Sequence, residues 1–246
     1  MIVHDILKTP LVTVEPDDLL GHAASLMRQH QVHHLPVVRK SKSPEGRYPK
    51  AGSELTGLIF EGLLSTQDIG RARVLARQDC LSEGSSHSWQ DQPVAAFMDP
   101  MPVTVVPTTP VGVAAQVLVS QSLSALPVIQ YDSEEQEAPP TLLGLLTGSD
   151  LLLALARALG TFEPGTQVDI VLPVGNMTPL TQTLSMAAEL GIHVRSLLTM
   201  PLTDGAPLIA TLRAGTIDPA PLLRRLRERG IEYTCVNPGE RERCYA

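Results

Sequence analysis

The sequence predicts an α/β (α+β) protein made of two copies of a β-α-β-β-α unit followed by one β-α-β-β-α-β unit. Three observations predict it. One ordered set of motifs occurs twice, the last third has its own alternation of strand-like and helix-like segments, and the composition suits several small cores. The chain has 246 residues, 43% hydrophobic and 18% charged, which is globular composition with room for one to three domains. Aromatic residues make up only 3%, so aliphatic side chains and alanine must fill the interior.

The repeat organises the first two thirds. Val12-Thr13-Val14 with Pro16 returns as Val103-Thr104-Val105 with Pro107. Gly21-His22-Ala23-Ala24 returns as Gly112-Val113-Ala114-Ala115, and Leu35-Pro36-Val37-Val38 as Leu126-Pro127-Val128-Ile129. All three pairs share the displacement that carries Val12 to Val103, so no gap is needed between them. Gly62-Leu63-Leu64-Ser65-Thr66-Gln67-Asp68 then matches Gly144-Leu145-Leu146-Thr147-Gly148-Ser149-Asp150 at a shorter displacement. The first copy therefore holds an insertion between Val38 and Leu55. Its polar run Arg39-Lys40-Ser41-Lys42-Ser43-Pro44 is that of a surface loop, where insertions are tolerated.

Within each copy the elements follow in order. Val12–Val14 is a short β segment stopped by Pro16. A helix follows, with Asp17 and Asp18 near its start and Leu20, Ala23, Ala24 and Met27 at helical spacing. Leu35–Val38 is a buried strand. Leu55–Leu64 holds one or two strands broken by Gly57 and Gly62. A last helix has Ser65 as N-cap and Asp68 in its first turn. Ser82–Ser88 is the Gly/Ser-rich connector, and Trp89 just beyond it packs on a repeat surface. Tyr131–Glu137 is an acidic loop, either solvated charge or a complementary contact between subunits.

Beyond a boundary at 161–165, strands are expected over 167–173, 192–200, 208–212 and 231–236. Asp204-Gly205 marks a hairpin turn between the middle two. Helices are expected over 180–190 and 219–229, ending at Gly191 and Gly230. This is the order of a ferredoxin-like sheet. Arg224, Arg225, Arg227 and Arg229 form either one solvated helix face or a partner-binding patch. The expected domains are 1–80, a linker over 81–93, then 94–160 and 166–238.

Several classes of function are disfavoured. A net charge of −7 argues against a general polyanion binder, and few aromatics argue against a stacking surface for single-stranded nucleic acid. The sequence holds no GxSxG, P-loop, HExxH or GxGxxG, so the chain is expected not to be an enzyme, with no catalytic residues. Cys80, Cys235 and Cys244 lack metal-site spacing and are expected to be free thiols in a reducing cytosol. No metal and no required cofactor are expected. Met1-Ile2-Val3-His4-Asp5 lacks a signal-peptide core, and no uncharged apolar run reaches ~18 residues, so a cytoplasmic protein without a membrane span is expected.

The paired motifs resemble a tandem CBS domain pair, or Bateman module. They are Val3-His4-Asp5-Ile6-Leu7 and Phe97-Met98, the two Val-Thr-Val-x-Pro segments, His34-Leu35-Pro36-Val37 and Ala125-Leu126-Pro127-Val128, and Ser65-x-x-Asp68 and Thr147-x-x-Asp150. The last third resembles an ACT domain, and the combination resembles acetoin-utilisation B-like CBS–ACT proteins. The resemblance implies two clefts related by a pseudo-twofold axis, each able to take an adenosine-containing ligand, and a homodimer. The ACT family's Asp-x-x-Pro-Gly turn is replaced by Pro173-Val174-Gly175-Asn176, which leaves Gly175 and Asn176 as weak candidates for amino-acid binding, with sheet-to-sheet pairing to a second chain as the alternative role of this domain.

The residues fit that ligand class. Asp68 and Asp150 can accept hydrogen bonds from both ribose hydroxyls. Ser65 and Thr147 can cap their helices or meet a phosphate. Backbone at Val12-Thr13 and Val103-Thr104 can read the adenine edge, and Leu35-Pro36 and Leu126-Pro127 can enclose the base. His34, with His33, is either a phosphate contact or an exposed strand end, and Ala125 takes its place in the second copy, so the clefts are expected to differ. Arg71, Arg73, His34 and Lys8 are the candidate phosphate partners, against only Arg157 on the second copy's last helix. These few cations favour AMP or ADP over ATP, with S-adenosylmethionine a further possibility. The function expected is regulatory adenine-nucleotide sensing, signalled through rearrangement of a dimer or of the ACT-like domain. The alternative is a structural dimerisation module with degenerate clefts.

Overall fold

The structure is a computed structural model that describes residues 1–7, 11–40, 58–83, 88–131, 139–201 and 208–236. The insertion of the first copy, the connector at 84–87, the acidic loop at 132–138, the Asp204-Gly205 turn, Lys8 and Cys244 lie outside the described residues, as does the side chain of Cys80. The chain forms two units, Met1–Leu151 and Leu152–Ala246.

The first unit holds the two copies. Helix α1 (Leu20–His30), strands β1 (His34–Lys40) and β2 (Leu58–Ser65) and helix α2 (Thr66–Glu83) form the first. Helix α3 (Val111–Ser120), strands β3 (Ala125–Gln130) and β4 (Thr141–Thr147) and the start of helix α4 (Gly148–Ala158) form the second. The buried residues of α1 are Leu20, Ala23, Ala24 and Met27, the four that the helical spacing picks out. The strands make one antiparallel sheet in the order β1-β2-β4-β3, so the two hairpins meet through their second strands at Ile59 and Thr141. Each copy has its own core, around Leu20, Leu35 and Leu64 in the first and Leu118, Leu126 and Leu146 in the second. Val38, Phe60, Ile129 and Leu142 pack together between them.

Two expectations are corrected. Val12–Val14 and Val103–Val105 are not strands. Only Val14 and Val105 pair, as single parallel bridges to Val37 and Val128. The next ladder donor on each segment would be Pro16 or Pro107, which has no N–H. Gly62 does not break a strand either, since β2 runs through it to Ser65.

What Gly62 and Gly144 do is admit the neighbouring copy. A Cβ at Gly62 would lie 2.5 Å from the Asp99 carbonyl oxygen and 3.1 Å from Met98 Sδ. A Cβ at Gly144 would lie 2.8 Å from Leu7 Cδ2. The segment leading into each copy thus crosses to the other. Val3 N and His4 N donate to the carbonyls of Thr109 and Pro107, while Val94 N and Ala95 N donate to those of Asp18 and Pro16. Trp89 packs against the first core, with the Arg73 guanidinium 4.5 Å above its ring.

The second unit contains β5 (Thr166–Leu172), α5 (Thr178–Glu189), β6 (Val194–Pro201), β7 (Leu208–Ala214), α6 (Ala220–Glu228) and β8 (Tyr233–Val236). Its sheet order is β6-β7-β5-β8, with every neighbour antiparallel. This is the ferredoxin-like arrangement that the element order predicts. Alternate residues of β5 and β7, Val168, Ile170, Leu172, Ala210, Leu212 and Ala214, are buried against Leu222 and Leu226 of α6 and Met186 of α5. Cys235 is buried. The arginines of α6 are not all solvated: Arg225 pairs with Glu189, and Arg227 donates to the Tyr233 hydroxyl at 3.3 Å.

Candidate functional site

Each candidate carboxylate sits where a strand turns directly into a helix. At the β2–α2 junction Asp68 Oδ2 accepts from Ser65 N at 2.8 Å and from Ser65 Oγ at 2.6 Å, and Ser65 Oγ accepts from Asp68 N at 3.3 Å. At the β4–α4 junction Asp150 Oδ2 accepts from Thr147 N at 3.0 Å and from Thr147 Oγ1 at 2.5 Å, and Thr147 Oγ1 accepts from Asp150 N at 3.3 Å. These are reciprocal capping boxes with the carboxylate three residues after the cap. They hold Asp68 and Asp150 at 8% and 7% exposure. Neither carboxylate is turned to bulk solvent. In each box the hydroxyl proton goes to the carboxylate, so in this conformation Ser65 and Thr147 act as caps.

The first junction gathers more polar groups than the second. His34 stands opposite Ser65 in the β1–β2 register. Its imidazole is held below its usual pKa by burial and by neighbouring His33, with Asp68 pulling weakly the other way. Arg71, one turn along α2, pairs with Asp68 Oδ1, and most of its side chain is exposed. The Asp68–Arg71 spacing of three along a helix is the sequence signal for that pair. Thr66 N donates to the His33 carbonyl at 3.0 Å, which commits one of the first-turn amides. In the second copy Ala125 stands opposite Thr147, and a Cβ at Gly148 would meet open space.

The remaining candidates lie around these junctions with differing access. Val14 N donates to the Pro36 carbonyl at 3.1 Å and Val105 N to the Pro127 carbonyl at 3.0 Å, which lays Val12-Thr13 and Val103-Thr104 alongside β1 and β3. Val12, Thr13 and Thr104 are half-buried and Val103 is exposed. Leu35 and Leu126 are fully buried in the two cores, so only their backbone is available to a ligand. Pro36 and Pro127 are buried on the opposite faces of their strands. Arg73 is engaged by Trp89. An open depression of about 660 Å³ elsewhere on this unit is lined by Asp17, Asp18, Leu19, Gly21, His22, Gln90 and Asp91, and contains none of the candidates. Its three carboxylates oppose a phosphate.

No group of three or more His, Cys, Asp or Glu able to hold a metal occurs among the described residues. No described helix is long and apolar enough to cross a membrane. In the second unit Gly175 is at φ +73° and Asn176 Oδ1 accepts from Thr178 N at 2.9 Å, so this turn starts α5.

Comparison with known proteins follows the same division. The chain is 26% identical over 159 residues to an uncharacterized 33.4 kDa protein in a ribosomal RNA operon of Thermofilum pendens, covering 64% of this chain and 45% of that protein. It thus spans less than half of that relative's length. Among solved structures it is similar to CBSX2 in complex with AMP (TM-score 0.45, 22% identity, 63% of this chain and 96% of that one). It is also similar to AcuB from Vibrio cholerae (TM-score 0.49, 19% identity, 66% and 96%). A third is the CBS domain pair of MJ0100 in complex with 5′-methylthioadenosine and S-adenosyl-L-methionine (TM-score 0.41, 19% identity, 63% and 96%). The CBS domain family matches residues 3–48 and 94–157, one match in each copy. With the doubled motifs and the paired hairpins, these two stretches are similar to a tandem pair of CBS domains.

Proposed function

We propose that this chain is a regulatory protein rather than an enzyme, and that its CBS pair binds an adenine nucleotide at the Asp68 and Asp150 junctions. The observation that carries the reading is the equivalence of those junctions. A buried aspartate, held by a hydroxyl residue three positions before it (Ser65 or Thr147), recurs at a helix start in both copies. A buried, oriented carboxylate is a strong acceptor for the paired hydroxyls of a ribose. Val12, Thr13, Pro36 and the backbone of Leu35 would border the base in the first cleft, and Val103, Thr104, Pro127 and the backbone of Leu126 in the second.

Arg71 gives the first cleft a switch. A carboxylate offers about four acceptor positions, and Asp68 already receives two donors from Ser65 and one from Arg71. A ribose presenting two hydroxyls displaces Arg71, whose freed guanidinium then meets the phosphate. His34 adds a second cation once protonated. The second cleft has Ala125 and Leu153 at the matching positions, so the first binds the more anionic ligand more tightly. AMP or ADP fits this small number of cations better than ATP, and S-adenosylmethionine suits the less basic second cleft. The signal passes through a homodimer or through the second unit, which we read as ACT-like from its strand order.

The test is isothermal titration with AMP, ADP, ATP and S-adenosylmethionine on the wild type, Asp68→Ala and Asp150→Ala. Two unequal sites are expected, each lost with its own aspartate. A second reading, a structural dimerisation module with non-binding clefts, draws on the local saturation of Asp68 by Ser65 and Arg71. It would be favoured if no ligand in the panel gave saturable heat.

A further inference from the structure

Two arginines of the ferredoxin-like unit, Arg195 and Arg213, come together away from the turn at Gly175 and Asn176. Strand β6 bulges between Val194 and Ser196, opposite Ala214 and Arg213 of β7. Bulges re-aim side chains, often beside functional sites. Here the bulged residue is Arg195, and it is brought beside Arg213. Leu212 and Ala214 are buried under the helices, so Arg213 between them lies on the other face of the sheet. Two glycines make room for the two side chains. A Cβ at Gly215 would lie 2.9 Å from Arg195 Nε, and a Cβ at Gly160 would lie 3.2 Å from Arg213 Cδ and 3.3 Å from Arg195 Cβ.

Two guanidinium groups placed side by side repel unless an anion lies between them. That role falls to Glu163, on the segment between α4 and β5. Its carboxylate pairs with Arg195, and its backbone carbonyl accepts from Arg213 Nη2 at 2.9 Å. Arg213 therefore receives only a neutral carbonyl, and its Nε is buried without a hydrogen-bond partner among the described residues. Two polar groups nearby are already engaged. Ser196 Oγ donates to the Leu159 carbonyl at 3.0 Å, and the Asp169 carboxylate on the same face accepts from Gln167 Nε2 at 3.0 Å. The Glu163 side chain is 59% exposed, whereas Arg195 is 30% exposed. The anion is thus the partner more open to solvent and Arg195 the more buried one.

We propose that Arg195 and Arg213 form a binding site for a small carboxylate, and that Glu163 is its built-in competitor. An arginine fork matches a carboxylate in bidentate fashion. An incoming carboxylate satisfies Arg213 as well as Arg195, which Glu163 does not. The assignment rests on the second unit alone and is independent of nucleotide binding by the first.

The test is isothermal titration of the full chain with glutarate, alongside inorganic phosphate and chloride at matched ionic strength. Saturable glutarate binding is expected in the wild type. It should tighten about tenfold in Glu163→Gln, which removes the competing charge, roughly the worth of one charge-assisted hydrogen bond. It should weaken in Arg213→Lys, which keeps the charge and loses the fork, with an unchanged circular dichroism spectrum. No saturable binding to Glu163→Gln would overturn the proposal. So would glutarate binding that Arg213→Lys leaves intact, or binding of phosphate in preference to glutarate.

Discussion

Leu63 and Asp99 exchange two backbone hydrogen bonds of 2.9 Å directly over Gly62, fixing the lead segment of the second repeat to a central strand of the first. A methyl group at Gly62 would meet the Asp99 carbonyl, which is backbone and cannot swing aside. Gly62→Ala is expected to cost about 1–3 kcal/mol, the usual range for overpacking. Gly144→Ala meets only the Leu7 side chain and should cost less. Urea midpoints of the two variants check the order.

Removing either capping carboxylate separates stability from binding. Asp68→Ala and Asp150→Ala should each cost about 1 kcal/mol, the worth of a helix cap. Each should also abolish nucleotide binding in its own cleft. Denaturant melts and titrations on the same preparations check this. Arg71→Ala leaves the cap in place, and is expected to weaken AMP much more than adenosine, because it removes a phosphate partner and frees Asp68.

His34 sets a pH dependence. Its folded pKa is depressed by burial and by His33, so below the ordinary value of 6.5 the unfolded chain takes up the proton first. Stability is therefore full above pH 6.5 and falls as the pH drops towards the folded pKa. His34→Gln should flatten that part of a plot of urea midpoint against pH. A bound phosphate favours the imidazolium, so AMP should bind more tightly as the pH is lowered from 8 to 6, by at most about tenfold per unit for one proton. Titrations in buffers of different ionisation enthalpy should show the accompanying proton uptake, absent in His34→Gln.

Arg73 and Trp89 join helix α2 to the segment that leads into the second repeat. Arg73→Ala is expected to cost about 0.5–1 kcal/mol, the value of an exposed cation–π contact. The fluorescence of this single tryptophan should change with it.

Much of this was legible in the sequence. Leu20, Ala23, Ala24 and Met27 mark a buried helix stripe because the 3.6-residue period projects onto one face, and Ser65-x-x-Asp68 marks a helix start because capping is local chemistry. The strand order of the second unit is the ferredoxin-like one that its element order implies. What was not legible depends on residues distant in the chain. Gly62 looked like a strand breaker because its partner, Asp99, is 37 positions on. Val12–Val14 looked like a strand because its apolar residues suit one, although Pro16 withholds the next donor. Leu35 looked available to a base because pattern alone does not say which side of a strand meets the core. The approach of Arg195 to Arg213 needed the bulge, which leaves no mark in the pattern.

The exchange of lead segments makes the two repeats an interlocked pair. Cut at the connector after residue 83, the first fragment would keep Leu7 but lose the strand it covers, and the second would keep Met98 with nothing beneath it. Each half alone is expected to be soft and prone to self-association. The two halves, produced separately and mixed, should reconstitute one particle. Duplicating either half is expected to give a poorer match, since Leu7 and Met98 are cut to different glycines.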